Sequence, residues 1–126
     1  MKLLPVLLVC VLAAFFALLS LGRKGSRVSA AEAKALIDAG GCLLLDVRAA
    51  DEYAEGHIPV AVNLPLDRIK AGESLLPPDK DGLILVYCLT GRRAGRVVKA
   101  LTALGYTKVK NMGGVMNWPY EIEKGR

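Results

Sequence analysis

A cysteine followed by a short loop with one glycine and two arginines is the part of this sequence best suited to chemistry. The apolar run 83–87 ends at Cys88, and Gly91, Arg92 and Arg93 follow. Apolar residues at helical spacing begin directly after them. At such a strand-to-helix junction, backbone N–H groups and the positive end of the helix dipole stabilise a thiolate. The stretch therefore predicts a nucleophilic cysteine in a site that attracts anions.

The positive charge of the chain is concentrated around this loop. The chain carries 17 Lys and Arg against 12 Asp and Glu, a formal net charge of +5. Residues 83–120 contain 6 of the basic residues and no acidic one, whereas residues 23–82 contain 8 basic and 10 acidic residues. A small anionic substrate explains such a field. Because no nucleic-acid-binding motif and little aromatic interleaving accompany the charge, we expect no nucleic-acid partner.

The cysteine count does not indicate a disulfide framework, since the chain has 3 cysteines. Cys42 begins one strand pattern and Cys88 follows the end of another. Parallel strands would place the two at opposite ends of a sheet, about 13 Å apart along the strand direction. That separation exceeds the Cα limit of about 7 Å for a disulfide. We therefore predict a free thiol at Cys88 and a small core residue at Cys42.

The hydrophobic pattern predicts an α/β fold that would position this cysteine. Predicted strands cover residues 42–47, 60–64, 83–87 and 108–112, with Val28 in a short edge strand. The first predicted helix is capped by Ser29 and ended by Gly40. It is followed by a short helix over 51–55 and a weak helix within 67–78. The last two are 94–104, ended by Gly105, and 115–123, which follows a turn at Gly113 and Gly114 and is interrupted by Pro119. Alternating strands and helices indicate a central, mainly parallel sheet of about five strands with helices on both faces. In such sheets the site lies at the carboxyl ends of the strands, where Cys88 falls.

Three groups of residues resemble the motifs of the rhodanese family. The first is Leu45-Asp46-Val47-Arg48, then Glu52-Tyr53, Gly56-His57-Ile58-Pro59, Ala61, Asn63 and Pro65. The second is Tyr87-Cys88 with Gly91 and Arg93, and the third is Gly105-Tyr106, then Asn111-Met112-Gly113-Gly114 and Trp118. Each motif alone is modest evidence, but the three in this order span roughly residues 27–120. The chain is therefore identified as similar to a single rhodanese-like domain.

This resemblance implies a thiosulfate:acceptor sulfurtransferase. The thiolate of Cys88 would attack the sulfane sulfur of thiosulfate, release sulfite and hold a persulfide, which a thiol or cyanide would then take. The resemblance implies no metal and no organic cofactor; the partners are a small anionic sulfur donor and a thiophilic acceptor. Its substrate-binding loop would consist of Leu89, Thr90, Gly91, Arg92, Arg93 and Ala94, with Arg93 as the family's loop arginine and Arg92 at the mouth.

Several other residues of these motifs are interpreted as structural. We expect Asp46 and Arg48 to pair with each other and to brace the loops of the site. His57, the only histidine, is expected to shape the Gly-His-Ile-Pro turn rather than to act as a general base. Trp118 and Tyr120 are expected to cover the core.

Loop length and two departures from the family define the alternatives. Four residues separate Cys88 from Arg93, and the related cell-cycle phosphatases have a loop one residue longer that fits a phosphate. Phosphatase or arsenate reductase activity is therefore the less favoured alternative. Ala94 stands where many members have a small hydroxyl residue, which leaves open a persulfide-carrying or interaction module with little small-molecule turnover. Val60 stands where many have glycine and indicates a changed turn.

The N-terminus predicts export or membrane attachment. Residues 3–21 carry no charge and follow Met1 and Lys2. A run of this length is near that of a membrane span and is longer than the apolar core of most signal peptides. We interpret residues 1–22 as a hydrophobic helix that precedes the α/β fold and acts as a signal peptide or transmembrane anchor, uncleaved or inefficiently cleaved. Residues 23–26 are interpreted as a linker and 27–126 as the rhodanese domain.

Two orientations follow from this interpretation. Export, typical of the small bacterial members that the chain resembles, would place the domain in the periplasm, membrane-anchored if the segment is uncleaved. Basic residues flank the apolar run at Arg23, Lys24 and Arg27, and such flanks favour the cytoplasmic side. An inner-membrane protein with its domain in the cytoplasm is therefore the alternative.

Overall fold

The computed structural model describes residues 26–71 and 74–126. The predicted hydrophobic N-terminal helix, the predicted signal peptide or anchor and most of the predicted linker lie outside these described residues. Within the described ranges, no helix is both long enough and apolar enough to cross a membrane.

Helices and strands alternate along the described chain. The helices are α1 (Ala30–Ala39), α2 (Ala50–Glu55), α3 (Leu66–Lys70) and α4 (Arg92–Ala103). The strands are β1 (Cys42–Asp46), β2 (Val62–Asn63), β3 (Leu83–Cys88) and β4 (Lys108–Gly114), followed by a 3₁₀ turn at Val115–Asn117.

The strands form one parallel sheet in the order β2-β1-β3-β4, which confirms the predicted α/β class. The described part of the chain contributes four strands rather than about five. In place of the predicted edge strand at Val28, Arg27 forms a single parallel bridge with Asn111, and the Val28 N–H donates to the Asn111 carbonyl at 3.1 Å. The strand cannot extend because Ser29 already caps α1, accepting the Glu32 N–H at 3.1 Å.

Two apolar layers cover the faces of the sheet. Along β3, Ile84, Val86 and Cys88 face the layer of α3 and α4, while Leu85 and Tyr87 face the layer of α1. This alternation is the period-two pattern of a strand buried on both faces. Cys88 therefore ends β3 with its side chain directed toward α4.

Helix α4 ends as the sequence predicts. Gly105 has φ +98°, and its N–H donates to the Thr102 carbonyl at 3.0 Å while the Tyr106 N–H donates to that of Leu101 at 3.1 Å. This is the Schellman arrangement, in which a left-handed residue satisfies the last carbonyls of the helix. It returns the chain directly to β4.

The C-terminal segment differs from the prediction. The predicted helix over 115–123 is wrong, since only the 3₁₀ turn at Val115–Asn117 forms. Pro119 has no N–H to continue a helix, and the chain then pairs Glu123 with His57, each N–H donating to the other's carbonyl at 2.8 Å. The predicted turn at Gly113 and Gly114 is also wrong, because both belong to β4. The predicted strand 60–64 is limited to Val62–Asn63.

The turn before β2 contains backbone strain. The Ala61 N–H donates to the Ile58 carbonyl at 3.1 Å, with Pro59 second and Val60 third in the turn. Val60 has φ +66°, and among the described residues it is the one residue other than glycine with a positive φ. This is the pattern of a type II turn, whose third position favours glycine. The valine was expected to change this turn, but its third position keeps the left-handed backbone conformation.

We expect the substitution Val60→Gly to raise the free energy of unfolding by about 1 kcal/mol. Relief of strain of about 1–3 kcal/mol outweighs the entropy cost of about 0.5–1 kcal/mol that glycine brings. Little apolar burial is lost, because the Val60 side chain is 74% exposed. Urea unfolding measures the change, and Val62→Gly in β2 is the control, expected to destabilise by about 1 kcal/mol. Equal destabilisation by both substitutions would show that Val60 is not strained.

Candidate functional site

The Cys88 sulfur lies at the centre of a loop of backbone donors. The residue is 1% exposed and ends β3 at a register shift relative to β4. The Gly91 N–H donates to Sγ at 3.0 Å and the Ala94 N–H does so at 3.4 Å. Backbone donors converging on one atom stabilise negative charge there. The loop therefore directs two backbone donors at one sulfur atom.

Gly91 allows the loop to close. It has φ +103° and ψ −8° and is the N-cap of α4, which consequently begins at Arg92, two residues before the predicted start. A Cβ at Gly91 would lie 3.2 Å from the Cα of Gly113, so a larger residue would be both strained and crowded. The left-handed turn at Gly91 directs the first N–H groups of α4, and the positive end of its dipole, toward Cys88.

Strand β4 supports the loop from the side. The Asn111 side chain is buried, and its Nδ2 donates to the Gly91 carbonyl at 3.0 Å while its Oδ1 accepts the Gly113 N–H at 2.8 Å. The backbone at Leu89 and Thr90 lies directly on Gly114, so a Cβ there would overlap the Leu89 carbonyl. The sequence placed Asn111 and Gly114 in a family motif but did not reveal their contacts with Gly91 and Leu89, because these contacts join β4 to a loop that is distant in the sequence.

The two loop arginines have different surroundings. Arg93 binds the Glu52 carboxylate of α2 with two hydrogen bonds, from Nη1 at 2.7 Å and Nη2 at 3.0 Å. Arg92 is exposed at the start of α4. The hydrogen bonds from Arg93 lower the pKa of Glu52 to about 2, and the same contact raises the pKa of Arg93. Arg93 thus fastens the loop to α2, a role that its position in the sequence did not reveal.

The Glu52–Arg93 ion pair predicts a loss of stability in acid. Because the pKa of Glu52 is about 2 in the folded chain and its ordinary value is 4.5, the pair stabilises the fold above pH 4.5 and loses this effect as the pH falls toward 2. We expect Glu52→Gln to lower the free energy of unfolding by about 1 kcal/mol at neutral pH, a figure that allows for partial exposure of both side chains. Denaturant unfolding at a series of pH values measures this.

The difference between wild type and Glu52→Gln should disappear between pH 4.5 and pH 2. The control is Glu55→Gln, at the exposed end of the same helix. It should change the free energy of unfolding by less than about 0.5 kcal/mol at every pH. A difference between wild type and Glu52→Gln that is unchanged at pH 2 would contradict this assignment.

The structure brings Asp46 and Arg48 into direct contact at the carboxyl end of β1, where Asp46 pairs with Tyr87 of β3. Arg48 Nη2 lies 2.7 Å from Asp46 Oδ2, and both side chains are buried. The same Nη2 donates to the Gly56 carbonyl at 2.7 Å, which joins the end of β1 to the end of α2. Asn63 Nδ2 donates to the Asp46 and Arg48 carbonyls at 3.1 and 2.9 Å. This network holds α2, and with it Glu52, in place against the sheet.

His57 lies within the turn that follows α2. Its ring stacks on Tyr53, with 3.7 Å between centroids and 7° between planes. Nδ1 lies 2.8 Å from the Tyr53 carbonyl oxygen, and Nε2 lies 3.7 Å from the Glu123 carboxylate. These contacts join α2 to the C-terminal segment. Nearby, the Trp118 side chain is buried in the core layer of α1, whereas Tyr120 is 39% exposed.

Both described cysteines are free thiols. Cys42 pairs with Leu83 in the sheet register, five residues before Cys88 along β3, so the two thiols lie at opposite ends of the strands. Burial raises the pKa of the Cys42 thiol. Cys10 lies outside the described residues. Among residues 26–71 and 74–126, no cluster of His, Cys, Asp and Glu has the arrangement of a metal site.

Comparison with known proteins agrees with this geometry. The model of the rhodanese-like domain family matches residues 29–120, and the chain belongs to that family. It is 38% identical over 81 residues to the thiosulfate sulfurtransferase PspE of Escherichia coli, covering 64% of this chain and 78% of that protein. It is 40% identical over 101 residues to thiosulfate sulfurtransferase 18 of Arabidopsis thaliana, covering 69% and 72%. The resemblance predicted from the three motifs is confirmed.

Solved structures show the same fold. A rhodanese from E. coli determined with anions has 34% identity and a TM-score of 0.57 over 67% of this chain and 99% of its own. A rhodanese-like domain protein from Staphylococcus aureus has 29% identity and a TM-score of 0.69 over 81% and 100%. The fold and the family are thus established together, and the chain is a rhodanese-type transferase.

Proposed function

We propose that the chain transfers a sulfane sulfur from thiosulfate, or a similar donor, to a thiophilic acceptor through a persulfide on Cys88. The observation that carries this proposal is the position of the Cys88 sulfur, enclosed by the loop with Gly91 and Ala94 N–H groups directed at it. The relatives named as sulfurtransferases support the same reaction.

The first half-reaction loads the enzyme. The Cys88 thiolate attacks the sulfane sulfur of thiosulfate, a new sulfur–sulfur bond forms, and the bond to the sulfonate group breaks. The electron pair of the broken bond leaves with sulfite. The terminal persulfide sulfur carries negative charge, which the first N–H groups and the dipole of α4 stabilise. Exposed Arg92 attracts the anionic donor and the departing sulfite.

The second half-reaction returns the thiolate. A thiolate or cyanide attacks the terminal sulfur, and the electron pair of the sulfur–sulfur bond returns to Cys88. A human relative with 28% identity is named thiosulfate:glutathione sulfurtransferase, and we include low-molecular-weight thiols among the acceptors of this chain. Arg93 acts as a positioning residue, since its guanidinium is bound to Glu52.

The short loop favours sulfur over phosphate. Four residues lie between Cys88 and Arg93, and two of the loop's N–H groups already donate to the cysteine sulfur itself. The buried methyl group of Ala94 supplies no hydroxyl donor, while its backbone N–H is kept. The missing hydroxyl donor favours slower turnover of small acceptors. A persulfide carrier is therefore the second candidate function.

The experiment is incubation of the purified chain with thiosulfate and cyanide, with thiocyanate as the product measured. Continuous thiocyanate formation supports the enzyme, whereas a stable persulfide with negligible turnover supports the carrier. Absence of both would overturn sulfur transfer. Hydrolysis of a chromogenic phosphate ester in place of sulfur loading would support a phosphatase instead.

We also propose that residues 1–22 attach the domain to a membrane, with the periplasmic face favoured and the cytoplasmic face as the alternative. The uncharged run 3–21 supports attachment. Protease added to intact spheroplasts should digest the domain. Complete protection there, with digestion after lysis, would place the domain in the cytoplasm.

A further inference from the structure

A groove with four cations runs along the outer side of α4. It has a volume of about 450 Å³, and no carboxylate lines it. The residues that define this basic groove are Arg27, Arg92, Arg96 and Lys99, with Ser26 and Asn111 beside them. Three of the cations repeat at intervals of four and three residues, which places them on one face of the helix. Arg27 comes from the segment that leads into the domain.

No carboxylate of the described fold neutralises the charge of the basic groove. Arg48 and Arg93, by contrast, bind the carboxylates of Asp46 and Glu52. None of the four groove cations has an ion pair or side-chain hydrogen bond with any residue of the ranges 26–71 and 74–126. Four uncompensated cations around one concave surface attract an external anion.

The sequence before the groove indicates which anion is nearby. Residues 3–21 carry no charge, and only residues 22–25 lie between this run and Ser26. A fully extended chain spans at most about 3.6 Å per residue, so Ser26 lies within about 18 Å of the end of the apolar run. The headgroup layer on each side of a bilayer is about 5–7 Å thick. A membrane-attached apolar run therefore holds the groove close to phospholipid headgroups.

We propose that the basic groove docks on anionic phospholipid headgroups of the bilayer to which residues 1–22 attach the domain. The inference rests on the proposed membrane attachment, and of the groove residues only Gly91 and Arg92 also belong to the proposed substrate-binding loop. Arginine guanidinium groups match phosphate oxygens with paired hydrogen bonds, and an apolar segment with an adjacent basic patch gives two additive membrane contacts. Because Gly91 lines the groove and belongs to the Cys88 loop, docking also sets how that loop is oriented to the membrane.

The test uses the full chain reconstituted in phosphatidylcholine vesicles with and without phosphatidylglycerol. Lys99 is exposed and lines the groove, so its reaction with an amine-selective acylating reagent reports docking by mass spectrometry. We expect phosphatidylglycerol to reduce labelling of Lys99 by about fivefold or more, and added salt to reverse the reduction. Lys34 on α1, on the other face of the sheet, is the internal reference and should not change.

A pair of matched double variants distinguishes the effect of the groove residues from the effect of net charge on the protection of Lys99. Arg27→Glu with Arg96→Glu should abolish the protection of Lys99, whereas Lys70→Glu with Lys124→Glu makes the same change in net charge outside the groove and should retain it. Both variants should unfold in urea at nearly the wild-type midpoint, which shows that they are folded whether or not the chain transfers sulfur. Arg92 is left unchanged because it belongs to the proposed substrate-binding loop.

Each alternative outcome shows which proposal is wrong. Wild-type chain that does not float with vesicles overturns the membrane attachment and this inference with it, but leaves sulfur transfer intact. Chain that floats while Lys99 is labelled equally in both vesicles overturns the docking alone. Poly-glutamate or inorganic phosphate added to phosphatidylcholine vesicles could protect Lys99 as strongly as phosphatidylglycerol does. That result would assign the groove to an acidic protein or a free anion and would also overturn the docking.

Discussion

Replacing Cys88 with serine will abolish sulfur loading and reduce thiocyanate formation by roughly a thousandfold or more. The hydroxyl of serine is a far weaker nucleophile than a thiolate at neutral pH and cannot hold a persulfide. The fold should survive, because the serine oxygen can accept the hydrogen bonds that Gly91 and Ala94 now donate to sulfur. Intact mass after thiosulfate and the rate of thiocyanate formation are the measurements.

The matched control is Cys42→Ser, since Cys42 is the other free thiol of the described chain and lies at the opposite end of the strands. It should retain sulfur loading and nearly wild-type turnover. Thiocyanate formation by Cys88→Ser at more than about a tenth of the wild-type rate would contradict the nucleophilic role. A loss of activity in Cys42→Ser alone would move the persulfide to that thiol.

Replacing Gly114 with alanine should disrupt the site without touching any residue that reacts. An added Cβ would overlap the Leu89 carbonyl and lie 2.6 Å from the Cα of Thr90, so the loop must move. Overpacking of this kind costs about 3 kcal/mol, and displacement of a reacting group by about 1 Å can reduce a rate about a hundredfold. We expect both effects, measured by urea unfolding and by thiocyanate formation.

Gly113→Ala, at the neighbouring position, is the control. It distinguishes the effect of steric crowding on turnover from the effect of backbone strain. Gly113 has φ +93°, but a Cβ there would meet no atom within 4 Å. Its replacement should cost about 1–2 kcal/mol through the left-handed backbone alone, with much of the turnover retained. Equal loss of turnover in the two variants would show that contact between Gly114 and the loop does not determine the geometry of the site.

The sequence was informative wherever the site depends on neighbouring residues. A buried strand, a glycine and an amphipathic helix follow one another around Cys88, and this order alone predicts a cysteine at a helix N-terminus. The positive φ of Gly91 and its donation to the sulfur agree with that local interpretation. The start of α4 was predicted two residues late, because the left-handed N-cap allows the arginines to enter the helix.

Contacts between distant residues could not be predicted in this way. Glu52 and Arg93 are 41 residues apart, and nothing in either local pattern indicates their pairing. Asn111 reaches Gly91 across the sheet, and the role of Gly114 depends on the close approach of another backbone segment. Such contacts depend on sheet register and packing, which a single sequence specifies only through the whole fold.

The incorrect prediction of a helix over 115–123 also results from contacts between residues distant in the sequence. The apolar residues after Gly114 suggested a helix, but Pro119 interrupts the hydrogen-bond ladder. Tertiary contacts then direct the segment elsewhere, since Glu123 pairs with His57 and the Trp118 indole N–H donates to the Glu121 carbonyl at 3.1 Å. Local propensity is weak enough for such contacts to override it.

The most direct test of sulfur transfer is intact-mass analysis of the full chain after incubation with thiosulfate, followed by peptide mapping. A gain of one sulfur atom located on the peptide containing Cys88, lost again on addition of cyanide with release of thiocyanate, is the predicted result. No gain in mass, or a sulfur atom located on Cys42, would contradict the central claim that Cys88 carries the transferred sulfur.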